Sequence, residues 1–207
     1  RWLVSRGEDE EGLKLWAAET RAGTGAAQTW YSGLPAAWHL SNWVGDRAIN
    51  WLSSQVKSDQ PFCAWVSFAD PHHPFDCPEP WSLMYDPKDV PLPKHRARDL
   101  ERRPWWHKAV LEGRPQLADP DLLKFRAEGS RVPDQSDRQL AEMTANYYGM
   151  ISLIDHNVGR ILTALSDLGL AEDTLVVYTT DHGELLGNHG LYLKHPIPYE
   201  DLLRVTM

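Results

Sequence analysis

Residues 174–194 read TLVVYTTDHGELLGNHGLYLK, and the fold turns on where the apolar run in this stretch stops. Leu175, Val176, Val177, Tyr178 and Thr179, all but the leucine β-branched or aromatic, run over a strand's length, which predicts a buried strand. The run gives way to Asp181, His182 and Gly183. In open α/β sheets ligands bind beyond the carboxyl ends of the strands, where several loops converge over a rigid platform. Function is therefore expected at this end. Asp181 and His182 supply one hard oxygen and one imidazole, a pair compatible with Ca²⁺, Mg²⁺, Mn²⁺ or Zn²⁺. Asp-His-Gly is equally compatible with a tight turn closed by an Asx hydrogen bond. Gly183, Gly187 and Gly190 allow the backbone to fold back and bring Lys194 to the same mouth.

A second apolar run, Phe62 to Phe68, follows Pro61 and also reads as a strand. It leads into Asp70-Pro71-His72-His73-Pro74-Phe75, where the prolines hold two imidazoles on a stiff loop. His72 could reach the same mouth. A metal, a Lys and a His around one point would cradle a tetrahedral oxyanion such as sulfate or phosphate, and His or Lys could protonate a departing alkoxide.

The connecting segments are helical, irregular or Pro-rich. Leu40, Trp43, Val44, Ala48, Ile49, Leu52 and Val56 recur at helical spacing and predict a helix from about Ser41 to Lys57, with Ser41 or Asn42 as its plausible cap and His39 before it as a solvent or cap residue. The clearest helix runs from Asp137 to Leu168, capped by Ser136 or Asp137 and stopped by Gly169. Asp155 and His156 lie within it, and a scaffold role suits them better than a ligand role. Helix, Gly169 turn and strand make the αβ half of a βαβ unit. A short helix is expected after Pro198. Residues 1–36 read as an irregular loop. Residues 76–133 form a Pro-rich excursion of the kind that serves as a lid or partner surface. Within it, Lys94-His95-Arg96-Ala97-Arg98 and Arg102-Arg103 form a basic patch, either a solvated face or a wall attracting anions.

The totals exclude several classes. Of 207 residues, 21 are Lys or Arg and 29 are Asp or Glu, a net charge of −8 that argues against nucleic acid as the main partner. Ten Trp, several in Pro-containing loops, could pack or wall a pocket. Cys63 and Cys77 define neither a disulfide scaffold nor a metal-type Cys-x-x-Cys spacing. No apolar run is long enough for a membrane span. The chain opens on Arg1 and closes on a β-favouring run, Arg204-Val205-Thr206-Met207, so both ends are expected to be cut. Compartment and oligomeric state stay open.

The string from Asp181 to Leu191, with Lys194 beyond it and an Arg204-Val205 ending, resembles the metal and substrate motif of the sulfatase family of the alkaline phosphatase superfamily, which includes phosphonate monoester hydrolases. Pro71-His72-His73-Pro74 resembles the family's Pro-His-x-Pro motif. Tyr147-Tyr148-Gly149-Met150 through Asp155, Val158, Gly159 and Arg160 resembles the helix before its metal strand. The resemblance implies an α/β fold, a partial doubly wound sheet with helices on both faces and a long Pro/Trp-rich excursion. It implies one incomplete catalytic domain over residues 1–207, hydrolysing sulfate or related esters at a divalent metal, Ca²⁺ with Mn²⁺ or Mg²⁺ as alternatives. Asp181 and His182 would be metal ligands. Lys194 and His72 would contact the anionic ester, with His73 as the register alternative. The family's nucleophile, a Cys or Ser in Cys/Ser-x-Pro-x-Arg, has no counterpart here, which implies an internal fragment inactive alone. A phosphonate or phosphate mono- or diester hydrolase of the same superfamily is one alternative, and a binding-only domain holding sulfated glycans through the Trp-rich and basic excursion is the alternative of another class.

Overall fold

The computed structural model describes residues 18–94, 134–194 and 197–207, with single positions 14, 105, 120 and 132. Its contacts divide the chain into two units, residues 1–90 with 141–176 and residues 91–140 with 177–207.

The first unit contains a two-stranded parallel sheet. Strand β1 (Thr29–Ser32) pairs with β2 (Phe75–Pro78), Thr29 opposite Phe75 and Ser32 opposite Pro78. Parallel strands require a crossover connection, and α1 (Leu40–Gln55) lies within it. Ser41, Gly45, Ala48 and Leu52 form the buried face of α1 at helical spacing. These mostly small side chains let α2 (Asp137–Asp167) approach closely. Asn157 donates to Asn42 Oδ1 at 2.7 Å, and Arg160 pairs with Asp46 at 2.6 Å. Asn146 on α2 donates to the carbonyls of Trp30 and Phe75, at 2.7 and 2.5 Å, so one buried amide ties the helix to both strands.

The boundaries of α2 agree with the sequence. Ser136 Oγ accepts from Gln139 N at 3.3 Å while Gln139 Oε1 accepts from Ser136 N at 2.9 Å, a reciprocal capping box. Gly169, at φ +72°, ends the helix, with Leu170 N donating back to Leu165 O at 3.0 Å. In the second unit, Leu185, Leu191, Ile197 and Leu202 form a small core with Tyr199 against it, and α3 (Glu200–Leu203) follows Pro198 as expected. Among the described residues no helix is long and apolar enough to cross a membrane.

The two apolar runs expected to be strands are not strands among the described residues. Leu175, Val176 and Val177 are 88, 52 and 67% exposed, and Trp65, in the middle of the Phe62–Phe68 run, is 88% exposed. A β-rich composition reports a preference for a pleated, buried surface, whereas a strand exists only where a neighbour satisfies its N–H and C=O groups. The paired strands instead lie inside the expected irregular segment 1–36 and across the start of the expected excursion 76–133. The observed α/β architecture thus has a small parallel sheet, and the larger doubly wound sheet is not present among the described residues.

Two glycines of α2 meet opposite surroundings. A Cβ at Gly149 would stand 2.5 Å from the Trp81 carbonyl oxygen and 2.9 Å from Cys77 Sγ, while a Cβ at Gly159 would meet nothing within 4 Å. Gly149→Ala is expected to destabilise by about 1–3 kcal/mol through overpacking. Gly159→Ala is expected to stabilise by up to ~1 kcal/mol through helix propensity. Urea unfolding of the two variants checks the contrast, and shifts of the same sign would contradict it.

Candidate functional site

Asp181, His182 and Lys194 all belong to the second unit and come together there. Asp181 Oδ1 accepts from His182 N at 2.9 Å, and Oδ2 lies 3.5 Å from His182 Nε2. His182 Nδ1 is 2.7 Å from the Gly183 carbonyl oxygen, which can only accept, so the ring proton sits on Nδ1. The Nε2 lone pair is thereby freed, and Lys194 Nζ lies 3.1 Å from it.

The loop that returns Lys194 to His182 is held by a carboxylate as well as by glycines. Glu184 Oε1 accepts from Leu185 N at 2.9 Å and Leu186 N at 3.4 Å, and the carboxylate also takes the Leu193 N–H at the loop's far end. Burial pushes the Glu184 carboxyl up to about 7, against the opposing pull of these N–H groups and of Lys194. Gly187 and Gly190 have φ of +86° and +71°, but Leu186, His189 and Leu193 also adopt positive φ, at +42°, +56° and +61°. Such non-glycine residues cost about 1–3 kcal/mol each and persist where the surroundings over-determine them. The buried side chains of Leu185, Leu191 and Leu193 provide that constraint.

Helix α3 braces the same loop. Gly183 N donates to Leu202 O at 3.0 Å, and a Cβ at Gly183 would overlap the Asp201 carbonyl oxygen. Asp201 Oδ1 accepts from Asn188 Nδ2 at 2.6 Å, its Oδ2 lies 3.6 Å from His189 Nε2, and the His189 ring stacks on Tyr199 at 4.0 Å. The sequence reading named the glycines but missed the roles of Glu184 and Asp201, whose partners are backbone groups or side chains that no periodicity reveals.

Asp181 and His182 fit a divalent cation as part of a shell. The Asp181 side chain is 87% exposed, and the anchored Nδ1–H of His182 aims Nε2 outward, as in metal-bound imidazoles whose other nitrogen is held by a carbonyl. Two donors are fewer than the four to eight such cations take. Among the described residues no group of three or more His, Cys, Asp or Glu side chains could hold a metal.

His72 belongs to the first unit. His72 N donates to Ala69 O at 3.1 Å, its Nδ1 is 2.5 Å from the His73 carbonyl oxygen, and the two imidazoles stack at 4.1 Å. His72 is exposed and His73 half-buried. His39 is the side-chain cap of α1, one of the two roles expected for it, and is buried, whereas Ser41 and Asn42, the other cap candidates, lie inside the helix. Asp155 and His156 are exposed on α2, the His156 ring 5.2 Å from that of Trp81. Cys63 and Cys77 are both free thiols. Of the basic patch, only Lys94 lies within the described residues; His95, Arg96, Arg98, Arg102 and Arg103 lie outside them, as does Trp106.

The chain belongs to the sulfatase family, whose profile, described as Sulfatase, matches residues 18–207. It is 35% identical over 167 residues to an arylsulfatase of Clostridium perfringens, covering 81% of this chain and 31% of that protein. It is 30% identical over 155 residues to the iduronate 2-sulfatase of Homo sapiens, covering 72% of this chain and 26% of that protein. Its fold is similar to the crystal structure of the phosphonate monoester hydrolase of Agrobacterium radiobacter, with a TM-score of 0.71 and 26% identity over 99% of this chain and 39% of that one. The chain thus spans about a third of the length of the relatives it matches.

Glu184→Ala removes the acceptor shared by three backbone N–H groups. Leaving buried donors unsatisfied costs about 1–3 kcal/mol, and the loop ends would separate. Amide exchange at Leu185, Leu186 and Leu193 is expected to speed up together, with α2 protection retained. Unchanged exchange at Leu193 would show that the loop closes without the carboxylate.

Proposed function

We propose that the full-length protein is a metal-dependent hydrolase of sulfate esters, with residues 1–207 forming one incomplete catalytic domain within it. The observation that carries this reading is the meeting of Lys194 Nζ, His182 Nε2 and Asp181 Oδ2 within 3.1 to 3.5 Å of the imidazole nitrogen. A ligand pair and an exposed cation at one solvent-facing point suit a tetrahedral anion. A divalent cation, Ca²⁺ by family resemblance with Mn²⁺ or Mg²⁺ as alternatives, would neutralise charge on the ester's non-bridging oxygens.

Asp181 and His182 would hold that cation through a carboxylate oxygen and Nε2. Lys194 would turn from His182 to the anionic oxygens, and its ammonium is held at hand by the Glu184-closed loop. His72, whose Nδ1 faces the His73 carbonyl, would keep Nε2 for a sulfuryl oxygen or the departing alkoxide. No residue of this chain matches the family's nucleophile motif, so the stretch alone is proposed to be inactive. The exposed runs Phe62–Phe68 and Leu175–Thr179 are proposed to be strands of a doubly wound sheet completed by the rest of the protein.

A second reading, hydrolysis of phosphonate or phosphate esters by the same groups, is favoured by the similarity to the phosphonate monoester hydrolase of Agrobacterium radiobacter. The two readings separate on 4-nitrophenyl sulfate and 4-nitrophenyl phenylphosphonate assayed with the full-length protein. Sulfate ester turnover is expected to dominate. Asp181→Ala is expected to lower kcat/KM by ~10²-fold or more, and chelation to abolish turnover until Ca²⁺ or Mn²⁺ is restored. Turnover indifferent to both Asp181→Ala and chelator would contradict the metal reading.

A further inference from the structure

The Pro71-His72-His73-Pro74 loop is bracketed by one buried histidine. His39 is 4% exposed, and its two ring nitrogens face opposite ends of the segment Asp70 to Asp76. Nε2 lies 3.1 Å from the Asp76 backbone carbonyl oxygen, at the loop's exit into β2. Nδ1 lies 3.4 Å from Ser41 N and 3.5 Å from Asp70 Oδ2, at the loop's entry. With its proton on Nε2 the ring donates to the Asp76 carbonyl and accepts from the Ser41 N–H. Ser41, 1% exposed, donates its hydroxyl to the same Asp70 carboxylate oxygen.

We propose that His39 and Ser41 act together as positioning residues, the imidazole holding the exit of the Asp70–Asp76 loop and the Ser41 hydroxyl its entry, and so set where the His72 imidazole stands during turnover. The inference rests on the reading of His72 as a substrate contact. A helix cap alone needs only an acceptor for one N–H of the first turn, which Asn, Asp or Ser supplies from a short side chain. The ring does more than that requirement, because the Asp76 carbonyl is reached only by its far nitrogen. Asp76 itself is otherwise poorly served. Its Oδ1 is buried without a hydrogen-bond partner, and burial pushes its carboxyl up, with His39 and the Ser32 hydroxyl pulling the other way. Asn146 completes the frame from α2, donating to the carbonyl of Phe75 beside the same exit. A loop held at its exit by the ring and at its entry by the hydroxyl that the same ring caps transmits a displacement of either to the two histidines between them, and misplacing a reacting group by about 1 Å costs on the order of 10² in rate.

His39→Asn separates capping from positioning. Asn still caps α1, but its side chain is too short to reach the Asp76 carbonyl. In the full-length protein, His39→Asn is expected to lower kcat on 4-nitrophenyl sulfate at least tenfold with KM within about twofold, and Ser41→Ala to lower kcat by a smaller factor. Amide exchange in residues 69–76 is expected to speed up at least tenfold in His39→Asn, while residues 43–52 of α1 keep their protection. His72→Ala, measured beside them, is expected to lose more activity than either. If His72→Ala loses activity while His39→Asn keeps wild-type kcat and wild-type exchange in residues 69–76, the positioning role is overturned and His39 is a cap. If neither His72→Ala nor His73→Ala changes turnover, the substrate-contact reading fails, and the role of the loop in turnover fails with it. Should His39→Asn fail to fold, Ser41→Ala decides alone, since it leaves the backbone cap intact and removes only the hydroxyl on Asp70.

Discussion

The half-buried carboxylate of Glu184 is the constraint on which the candidate site depends. It is drawn partly out of water and given backbone N–H groups from both ends of one loop. A buried polar group without partners would cost several kcal/mol, so the loop's lowest state is the closed one that satisfies it. Closure then places Lys194 beside His182 although twelve residues separate them. Three non-glycine residues at positive φ are tolerated because Leu185, Leu191 and Leu193 are buried on one side of the turn and the carboxylate holds the other.

The same economy governs the first unit. Asn146 holds both strands from one amide, and His39 ties the exit of the Pro-His-His-Pro loop to the first turn of α1 from one ring. In each case a buried polar side chain with two partners does the work that a longer ladder of backbone hydrogen bonds does in a larger sheet. Such side chains specify geometry well because a half-satisfied arrangement is costly.

What could be read from the chain depended on whether the governing interactions were local. The limits of α2 were legible because Ser136, Gln139 and Gly169 are neighbours in sequence of the groups they satisfy. Asp181, His182 and Lys194 could be named as candidates because strand-like and glycine-rich segments flank them, and the structure brings these three together. The runs Phe62–Phe68 and Leu175–Thr179 were read as strands, yet their partners are a matter of distant pairing that no local pattern encodes. The strands that do pair, at Thr29–Ser32 and Phe75–Pro78, are four residues each and too short to show a period. Glu184 and His39 looked like ordinary polar residues, and only their burial and backbone partners reveal what they do.

Membership of the sulfatase family and the clustering of Asp181, His182 and Lys194 support the proposal that a metal-ligand pair and a cation stand together on a closed loop. The most direct measurement is an anomalous difference map from crystals of the full-length protein grown with Mn²⁺. The account predicts a peak about 2.0–2.6 Å from both an Asp181 carboxylate oxygen and His182 Nε2, with Lys194 turned away from that nitrogen. A bound ion coordinated elsewhere, with Lys194 still on His182, would contradict it.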